Sequence, residues 1–320
     1  MFKSKWDNGC CKPCPTCWPE LHGVSHLELE VFDFLKSLGL GPEYHLHSQD
    51  TVNRSILAPK QLDIVVEKSN VPTIAIEFDG LYWHSEAANG NRSSQLFKTE
   101  NCETKGIHLI HIFENEWLCK RQIVESRLKN LLGIYDKTVF ARKCEVREVS
   151  PNESMKFQEE NHIQGAIGAK VHLGLYYENQ LISLMTFGKS RFNKKAEWEL
   201  LRFCNKLGYH IPGGAGKLLA HFERNWNPLS LISYADRRWS RGKLYETLGF
   251  KLDHISGPDY WYLKPNNTTI LYRREKFQKR KLKAQLEIFD ESLSEVENMR
   301  NNGYTRIFDC GNLVFMKTCF

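Results

Sequence analysis

The stretch "IEFDGLYWH" (76–84) combines side chains that could do acid–base or metal chemistry. Glu77 and Asp79 stand two residues apart in an apolar run, and His84 follows them after a glycine. Successive residues of a strand point to opposite faces, so we expect both carboxylates on one face. The structural alternative is a strand that runs into a turn, with exposed acids and a histidine packed beside Trp83.

A third acid, Asp63, lies near the start of the preceding apolar run "LDIVVE" (62–67). Neighbouring strands lie about 5 Å apart, so Asp63 could join Glu77 and Asp79. Burying several carboxylates without partners is costly, and a divalent cation compensates for their charge. Oxygen ligands suit Mg²⁺. The sequence therefore predicts a Mg²⁺ site, or a Mn²⁺ site, held by Asp63, Glu77 and Asp79.

Helix and strand signals alternate around these acids. The segment 25–39 places apolar residues at helical spacing, and Ser25 with Glu28 forms the Ser-x-x-Glu pattern of a capping box, which is the structural alternative for Glu28. Strands are predicted at 62–67, 73–80 and 106–117. A further helix is predicted at 94–105, before the third of these strands. These elements predict a small mixed α/β sheet.

Taken together, the first helix, "LDIVV", "IAIEFDGLYWH" and "GIHLIHIFENEW" resemble the PD-(D/E)XK nuclease superfamily. The closest resemblance is to the branch of very-short-patch mismatch-repair endonucleases and EDxHD phage homing endonucleases, and Gly-x-x-Trp-His is its most specific element. The resemblance covers about residues 25–135 and implies a restriction-endonuclease-like domain that cuts DNA with a metal ion. It implies that Glu28 is the acid of the first helix, Asp63 a metal ligand and His84 the histidine of the catalytic region.

The chain departs from the ordinary pattern of that superfamily at one position. Two residues after Glu77 it has Asp79, where a lysine is usual. The general base or charge stabiliser would then be His84 or a lysine of the next helix, of which Lys98 fits best. Phosphodiester hydrolysis needs an activated water and relief of charge in the transition state, both of which a bound Mg²⁺ can supply. A histidine can move protons near neutral pH.

A second set of signals occupies residues 140–265. A hairpin, a strand and a further strand with a helix are predicted in "VHLGLYYENQLISLMTFG", "WELLRFCN" and "LISYADRRWSRGKLYETLGF". Between them "HIPGGAGK" brings Gly213, Gly214, Gly216 and Lys217 to the start of a helix, a pattern that can cradle phosphate. This order resembles the GNAT acyltransferase fold, whose glycine-rich loop binds the pyrophosphate of acetyl-CoA, and also the phage Mom type of DNA-modification enzyme.

The preferred interpretation of this GNAT-like region is a scaffold reused to contact DNA. Basic residues interleaved with an aromatic suit phosphate and base contacts. The candidates in "ADRRWSRGK" are Arg237, Arg238, Trp239, Arg241 and Lys243.

The last segment, 266–320, contains the basic run "RREKFQKRKLK" and ends in a predicted hairpin. A local basic run favours contact with nucleic acid, here through a basic helix. The candidate contacts are Arg273, Arg274, Lys279 and Arg280. The alternatives are a solvated helix face and an electrostatic clasp with the acidic helical stretch that follows.

The first segment, 1–24, is rich in cysteine. Cys11, Cys14 and Cys17 repeat at the Cys-x-x-Cys spacing that forms half of a structural zinc site. A complete Zn²⁺ site needs four ligands. The nearby candidates for the remainder are Cys10, His22 and His26. Reduced surface cysteines are the alternative.

Length and charge agree with this division. The chain has 320 residues, enough for two domains, and 44 basic against 38 acidic residues give a net charge of +6. It contains neither the run of about 20 apolar residues that a membrane span requires nor an apolar signal core, so we expect a cytoplasmic protein. The predicted partner is double-stranded DNA, and the sequence leaves the oligomeric state open.

Three functional hypotheses follow from these patterns. The first is a metal-dependent DNA endonuclease of the phage homing kind, with DNA-recognition segments downstream of its nuclease domain. The second is a DNA-modifying acyltransferase with a degenerate nuclease domain. The third is a DNA-binding protein without catalytic activity.

Overall fold

The computed structural model describes residues 25–89 and 91–319. Within these residues the chain forms a four-stranded, a seven-stranded and a three-stranded sheet, together with one short two-stranded pair. Helices accompany each of the larger sheets, so the expected mixed α/β character is confirmed. Among the helices of these ranges, none is both long enough and apolar enough to span a membrane.

The first sheet has the order β1-β2-β3-β4. Its strands are β1 (Tyr44–Ser48), β2 (Ile64–Lys68), β3 (Val71–Asp79) and β4 (His108–Phe113). The accompanying helices are α1 (His26–Ser37), α2 (Thr51–Leu57), α3 (Glu86–Asn89), α4 (Ser94–Thr104), α5 (Glu114–Cys119) and α6 (Arg121–Leu131). β1, β2 and β3 are antiparallel, whereas β4 is parallel to β3. A parallel pair needs a crossover, and α4 lies within it.

Strand β2 shows why its residues form a strand. Ile64, Val65 and Val66 are all fully buried, because the sheet carries packed side chains on both faces. The strand predicted at 106–117 is shorter than expected, since the chain turns into α5 at Glu114.

The second sheet has the order β12-β16-β11-β9-β8-β7-β6. Its strands are β6 (Glu145–Glu148), β7 (Val171–Tyr177), β8 (Gln180–Lys189), β9 (Trp198–Asn205), β11 (Ser230–Asp236), β12 (Lys251–Ile255) and β16 (Asn312–Thr318). The strands β5 (Lys137–Thr138) and β10 (Tyr209–His210) form the short pair, and the helices are α7 (Pro151–Asn161), α8 (Gly214–Trp226) and α9 (Lys243–Thr247). The predicted hairpin is present as β7 and β8, with Glu178 and Asn179 at positive φ in its turn.

Two adjacent strands of this sheet diverge. β9 and β11 are parallel and pair only through Trp198 with Leu231 and Glu199 with Ile232. Beyond these pairs, the segment that follows α7 contacts both strands. Gly165 accepts a hydrogen bond from Arg202 of β9, and Gln164 donates one to Asp236 of β11.

The third sheet holds most of the tail. It consists of β13 (Tyr260–Lys264), β14 (Asn267–Arg273) and β15 (Thr305–Phe308), and α10 (Lys279–Leu282) and α11 (Glu295–Asn301) pack beside it. The predicted C-terminal hairpin is wrong, because β15 pairs with β13 while β16 enters the second sheet between β11 and β12. Gly311, with φ of +75°, lies where the chain passes from one sheet to the other.

The single basic helix expected in the tail is also wrong. A 3-10 helix at Arg274–Phe277 and the short α10 are separated by Gln278, whose extended backbone (ψ 135°) interrupts the helical hydrogen bonds. Phe277 and Leu282 are buried against the third sheet, and this packing holds the two short turns apart.

One hydrophobic cluster of the first sheet extends across its junction with the second sheet. Ile123 and Leu128 of α6 lie in the same cluster as Ile163 and Trp239, which follow α7 and β11. The functional side chains on either side of this junction are therefore held in fixed relation to one another.

Candidate functional site

A cluster of buried carboxylates surrounds Lys98 in the first sheet. Glu77 on β3 is 1% exposed, and its Oε2 atom accepts a hydrogen bond from Lys98 Nζ of α4. Lys98 also donates to the carbonyl oxygen of Gln61 at 3.3 Å. Asp63 precedes β2, and its Oδ2 atom accepts from the backbone N–H of Phe78 at 2.8 Å. The sequence-predicted residues Asp63, Glu77 and Lys98 are therefore together.

Glu28 reaches the same cluster from α1. Ser25 caps this helix, since its Oγ atom accepts a hydrogen bond from the backbone N–H of Glu28 at 3.0 Å. The Glu28 carboxylate accepts instead from Gln49 Nε2 at 3.0 Å, and its side chain is buried. The capping explanation thus accounts for the backbone of Glu28 but not for its carboxylate.

The carboxylates of this cluster hinder one another's ionisation. Burial and the neighbouring Asp63 raise the pKa of Glu28 to about 7. Burial and Asp63 also raise the pKa of Glu77 to about 8, against the opposing charge of Lys98. Burial raises the pKa of Asp63 as well. Negative charge is therefore crowded here, and it would be relieved by a bound cation.

Lys98 is suited to stabilise charge and not to accept a proton. Burial opposes its charged form, but Glu77 and Asp63 outweigh this effect and raise the pKa of Lys98 above its usual value. Of the two candidates for a general base, the charged ammonium of Lys98 is excluded near neutral pH. His84 remains, with a side chain that is 25% exposed.

Asp79 belongs to a different set of contacts. Its Oδ1 atom lies 3.1 Å from His84 Nδ1, and its Oδ2 atom lies 2.9 Å from His111 Nδ1. Burial acts to raise the pKa of Asp79, but His111 and His84 together lower it. Oδ2 forms a hydrogen bond with His111, whereas Oδ1 lies near His84 but has no hydrogen-bond partner among the described residues. Lys98 pairs with Glu77 and not with Asp79.

His111 was not identified from the sequence. It is fully buried in β4 and lies 3.0 Å from Thr99 Oγ1, which in turn donates to Cys310 Sγ at 3.2 Å. Burial disfavours its charged ring, but Cys310 and Asp79 raise the pKa of His111 well above its usual range. A histidine inside the apolar run "HLIHIF" was the available signal.

The proposed metal ligands can be compared with this geometry. Across residues 25–89 and 91–319, no three or more His, Cys, Asp or Glu side chains are arranged to hold one metal ion. The structure therefore does not gather Asp63, Glu77 and Asp79 into one three-ligand group, and Asp79 lies beside His84 and His111 instead. Mg²⁺ commonly uses only one or two protein carboxylates, with water and substrate phosphate completing its shell. Glu77 Oε1 is buried without a hydrogen-bond partner, so the oxygen donors of Asp63 and Glu77 fit such a site.

The glycine-rich loop does begin a helix, but its lysine is occupied. Gly213 precedes α8 in a left-handed conformation (φ 78°), and Gly214 and Gly216 lie in the first turn. Lys217 Nζ donates to the carbonyl oxygens of Ala141 at 3.0 Å and Cys144 at 2.5 Å. Its ammonium therefore anchors the segment before β6.

Three of the predicted DNA contacts are buried between the sheets. Arg237, Arg238 and Trp239 are 3%, 3% and 4% exposed. Arg237 donates to Glu103 at 2.8 Å, and Arg238 donates to Glu116 at 3.0 Å. These residues join β11 to the first sheet and cannot reach DNA, so this expectation is corrected.

The remaining basic candidates are more accessible. Arg241 is half-buried, and its Nη1 atom donates to the carbonyl oxygen of Gly106 at 3.2 Å. The exposed candidates are Lys243, Arg273, Arg274, Lys279 and Arg280. The zinc-ligand candidates Cys11, Cys14 and Cys17 lie outside the described residues.

Comparison with known proteins adds one distant similarity. No family model matches the chain, and no curated protein matches it. A solved GNAT family acetyltransferase from Elizabethkingia anophelis, with acetyl-CoA bound, is similar at 13% identity and a TM-score of 0.32. The similarity covers 55% of this chain and 98% of that protein. A similarity this distant transfers neither fold nor activity to this chain.

Proposed function

We propose that this chain is a metal-dependent DNA endonuclease whose site is formed by Glu28, Asp63, Glu77 and Lys98, with His84 beside it. The observation that supports it most is the crowding of three carboxylates around one half-buried lysine. Burial and mutual repulsion raise the pKa values of Glu28 and Glu77 into the neutral range. Structural ion pairs lower carboxylate pKa values, so this reversed direction favours a functional site.

Asp63 and Glu77 would hold a Mg²⁺ or Mn²⁺ ion. When bound, the ion would lower the pKa of a water molecule and neutralise charge on the phosphate. Lys98 keeps its positive charge and can stabilise the negative charge that develops on the scissile phosphate. His84 is the partly exposed group that can accept a proton from water, and its Nδ1 atom lies 3.1 Å from Asp79 Oδ1.

Glu28 would affect the charge of the site without binding the metal ion. Its carboxyl is held by Gln49 and shares its charge environment with Asp63. It can take up or release a proton as the charge of the site changes. In this role Glu28 adjusts the total charge of the carboxylate cluster and does not need to contact the substrate.

The proposed substrate is double-stranded DNA. The exposed cations of the tail, from Arg273 to Lys283, offer charge for its phosphate backbone. The expected homing character and the target sequence are part of the same proposal and rest on the resemblance alone.

Cleavage of a plasmid library that carries random inserts tests this function. We expect Mg²⁺-dependent cleavage by the wild-type protein and a loss of about 100-fold or more in Asp63→Asn and Glu77→Gln, since several kcal/mol of transition-state stabilisation depend on these ligands. Glu287→Gln, at an exposed acid, is the matched control. Absence of cleavage by the wild type with either cation, or full activity in Asp63→Asn, would contradict the proposal.

The acyltransferase hypothesis is the second candidate, and the distant similarity described above is the observation that points to it. The segment that contacts both diverging strands weighs against an open acetyl-CoA site between them. Calorimetric titration with acetyl-CoA decides the matter. Binding that Gly214→Glu abolishes would favour this candidate, and no heat of binding would eliminate it.

A further inference from the structure

A group of cations converges on one loop at the junction of the sheets. Lys120 Nζ donates to the carbonyl oxygen of Ile163 at 2.8 Å. Arg202 Nε donates to that of Gly165 at 3.4 Å, and Arg273 Nη2 to that of Gln164 at 3.5 Å. These three cations come from α5–α6, β9 and β14, and they reach three consecutive carbonyl groups.

None of the three has an acidic partner of its own. Their hydrogen bonds all go to backbone carbonyl oxygens, and no carboxylate of the described residues forms an ion pair with them. Arg202 is only 8% exposed. A buried guanidinium that has carbonyl partners but no counterion is costly, so the site favours an anion.

The surrounding groups add to the positive charge. Arg127 lies with its guanidinium 4.7 Å from the ring centre of Trp239, and its buried Nε atom has no hydrogen-bond partner in the described residues. Burial and Arg273 lower the pKa of Arg202 to about 10, and burial with Arg202 lowers that of His162 well below its usual range. These shifts show that the cations are close enough to repel one another.

The nearby carboxylates are already engaged. Glu159 and Glu116 attract Lys120, but Glu159 accepts a hydrogen bond from the backbone N–H of Ala166, and Glu116 pairs with Arg238. The hydrogen bond from Ala166 leaves the charge of Glu159 in place, whereas that of Glu116 is taken up by Arg238. Within the described part of the chain, the three cations therefore outnumber the nearby carboxylates that lack an arginine partner.

We propose that Lys120, Arg202 and Arg273 form a binding site for a phosphate group. Arginine forks and a lysine point charge are the groups that proteins use for phosphate. Arg273 begins the exposed basic run of the tail, so the site is continuous with that surface. The phosphate belongs either to the DNA backbone or to a small phosphorylated molecule. The first of these two sources rests on the proposed function, and the second does not.

Thermal unfolding of the full chain tests the site without DNA. Phosphate and pyrophosphate, compared with chloride at equal ionic strength, should raise the melting temperature of the wild type. The effect should be lost in Lys120→Gln and Arg273→Gln, which change partly exposed and exposed side chains, and retained in the control Lys251→Gln at an exposed lysine of β12. Equal effects of phosphate and chloride, or an unchanged phosphate effect in both variants, would overturn the proposal.

Fluorescence anisotropy with a short DNA duplex identifies the source of the phosphate. If it is the DNA backbone, each variant should bind on the order of tenfold more weakly at about 100 mM salt, and the salt slope should fall by about 0.9. Unchanged DNA binding together with a lost pyrophosphate effect would assign the site to a small molecule. If the wild type is stabilised by phosphate but does not cleave DNA, the phosphate site is supported and the nuclease function is contradicted.

Discussion

His111 Nδ1 lies 2.9 Å from Asp79 Oδ2 in the core, and the other oxygen of Asp79 lies 3.1 Å from His84. The buried carboxylate thus joins a buried histidine to a partly exposed one. Its charge is maintained by both rings, so Asp79 can fix the orientation of His84 without touching a metal ion or substrate.

Replacing this carboxylate should be costly. Asp79→Asn leaves a buried imidazolium at His111 without its counter-charge, and loss of one partner of a buried pair costs about 3–5 kcal/mol. Urea unfolding measures the change. Asp253→Asn, which removes the partner of the exposed His254, should cost less than about 1 kcal/mol. Equal destabilisation by the two substitutions would contradict the role given to Asp79.

The carboxylate cluster should make stability fall as pH rises. Glu28 and Glu77 have pKa values of about 7 and 8 in the folded chain, whereas ordinary glutamates titrate near 4.5. Between about pH 5 and 8 the folded state therefore holds protons that the unfolded chain has released, and raising the pH favours unfolding.

Substitution of Glu77 checks this sign. Glu77→Gln should reduce the loss of unfolding free energy between pH 6 and pH 8 by on the order of 1–2 kcal/mol. Mg²⁺ should stabilise the wild type more at pH 8 than at pH 6, and should do so less in the variant. Denaturant titrations at both pH values provide the measurement. An identical pH dependence in both proteins would mean that Glu77 titrates normally.

The junction between the sheets should depend on Arg238. Its guanidinium is buried and lies 3.0 Å from Glu116 and 2.9 Å from Asp236, so Arg238→Gln leaves two acids uncompensated. We expect a loss of about 3–5 kcal/mol in unfolding free energy. Arg147→Gln removes an exposed pair with Glu145 and should cost less than about 1 kcal/mol. A mild effect of Arg238→Gln would mean that apolar packing and the Arg237–Glu103 pair hold the junction without it.

Two glycines should respond differently to alanine. Gly80, in the turn before His84, has no left-handed φ, and an added Cβ would lie 3.6 Å from Trp83 Cδ1, an ordinary contact. Gly80→Ala should change stability by less than about 1 kcal/mol. Gly242 has φ of +79° and its Cβ would meet the ring of Phe315, so Gly242→Ala should cost about 2 kcal/mol or more. Thermal unfolding of the two variants compares them directly, and equal stability would show that the chain relaxes at Gly242.

Local patterns in the sequence were sufficient for many of the elements. Alternation and β-branched residues predicted β2, β3 and the β7–β8 hairpin, and helical spacing with Ser25 predicted α1. Strand spacing also placed Asp63 near Glu77, and the resemblance to the nuclease superfamily added Lys98. The strands, the hairpin and the helix depend on the period of side chains along a strand or helix. That period is visible in a few consecutive residues, so the sequence is enough to predict them.

Only the tertiary structure decided how the charges are distributed. Arg237 and Arg238 look like DNA contacts in "ADRRWSRGK", yet they pair with acids more than 100 residues earlier in the chain. Asp79, predicted as a metal ligand, lies against His111 instead. Lys217 of the predicted phosphate loop donates to two carbonyl groups that are distant in the sequence. A charged side chain is neutralised by whichever group the fold brings within a few ångströms, and that pairing leaves no periodic signal in the sequence.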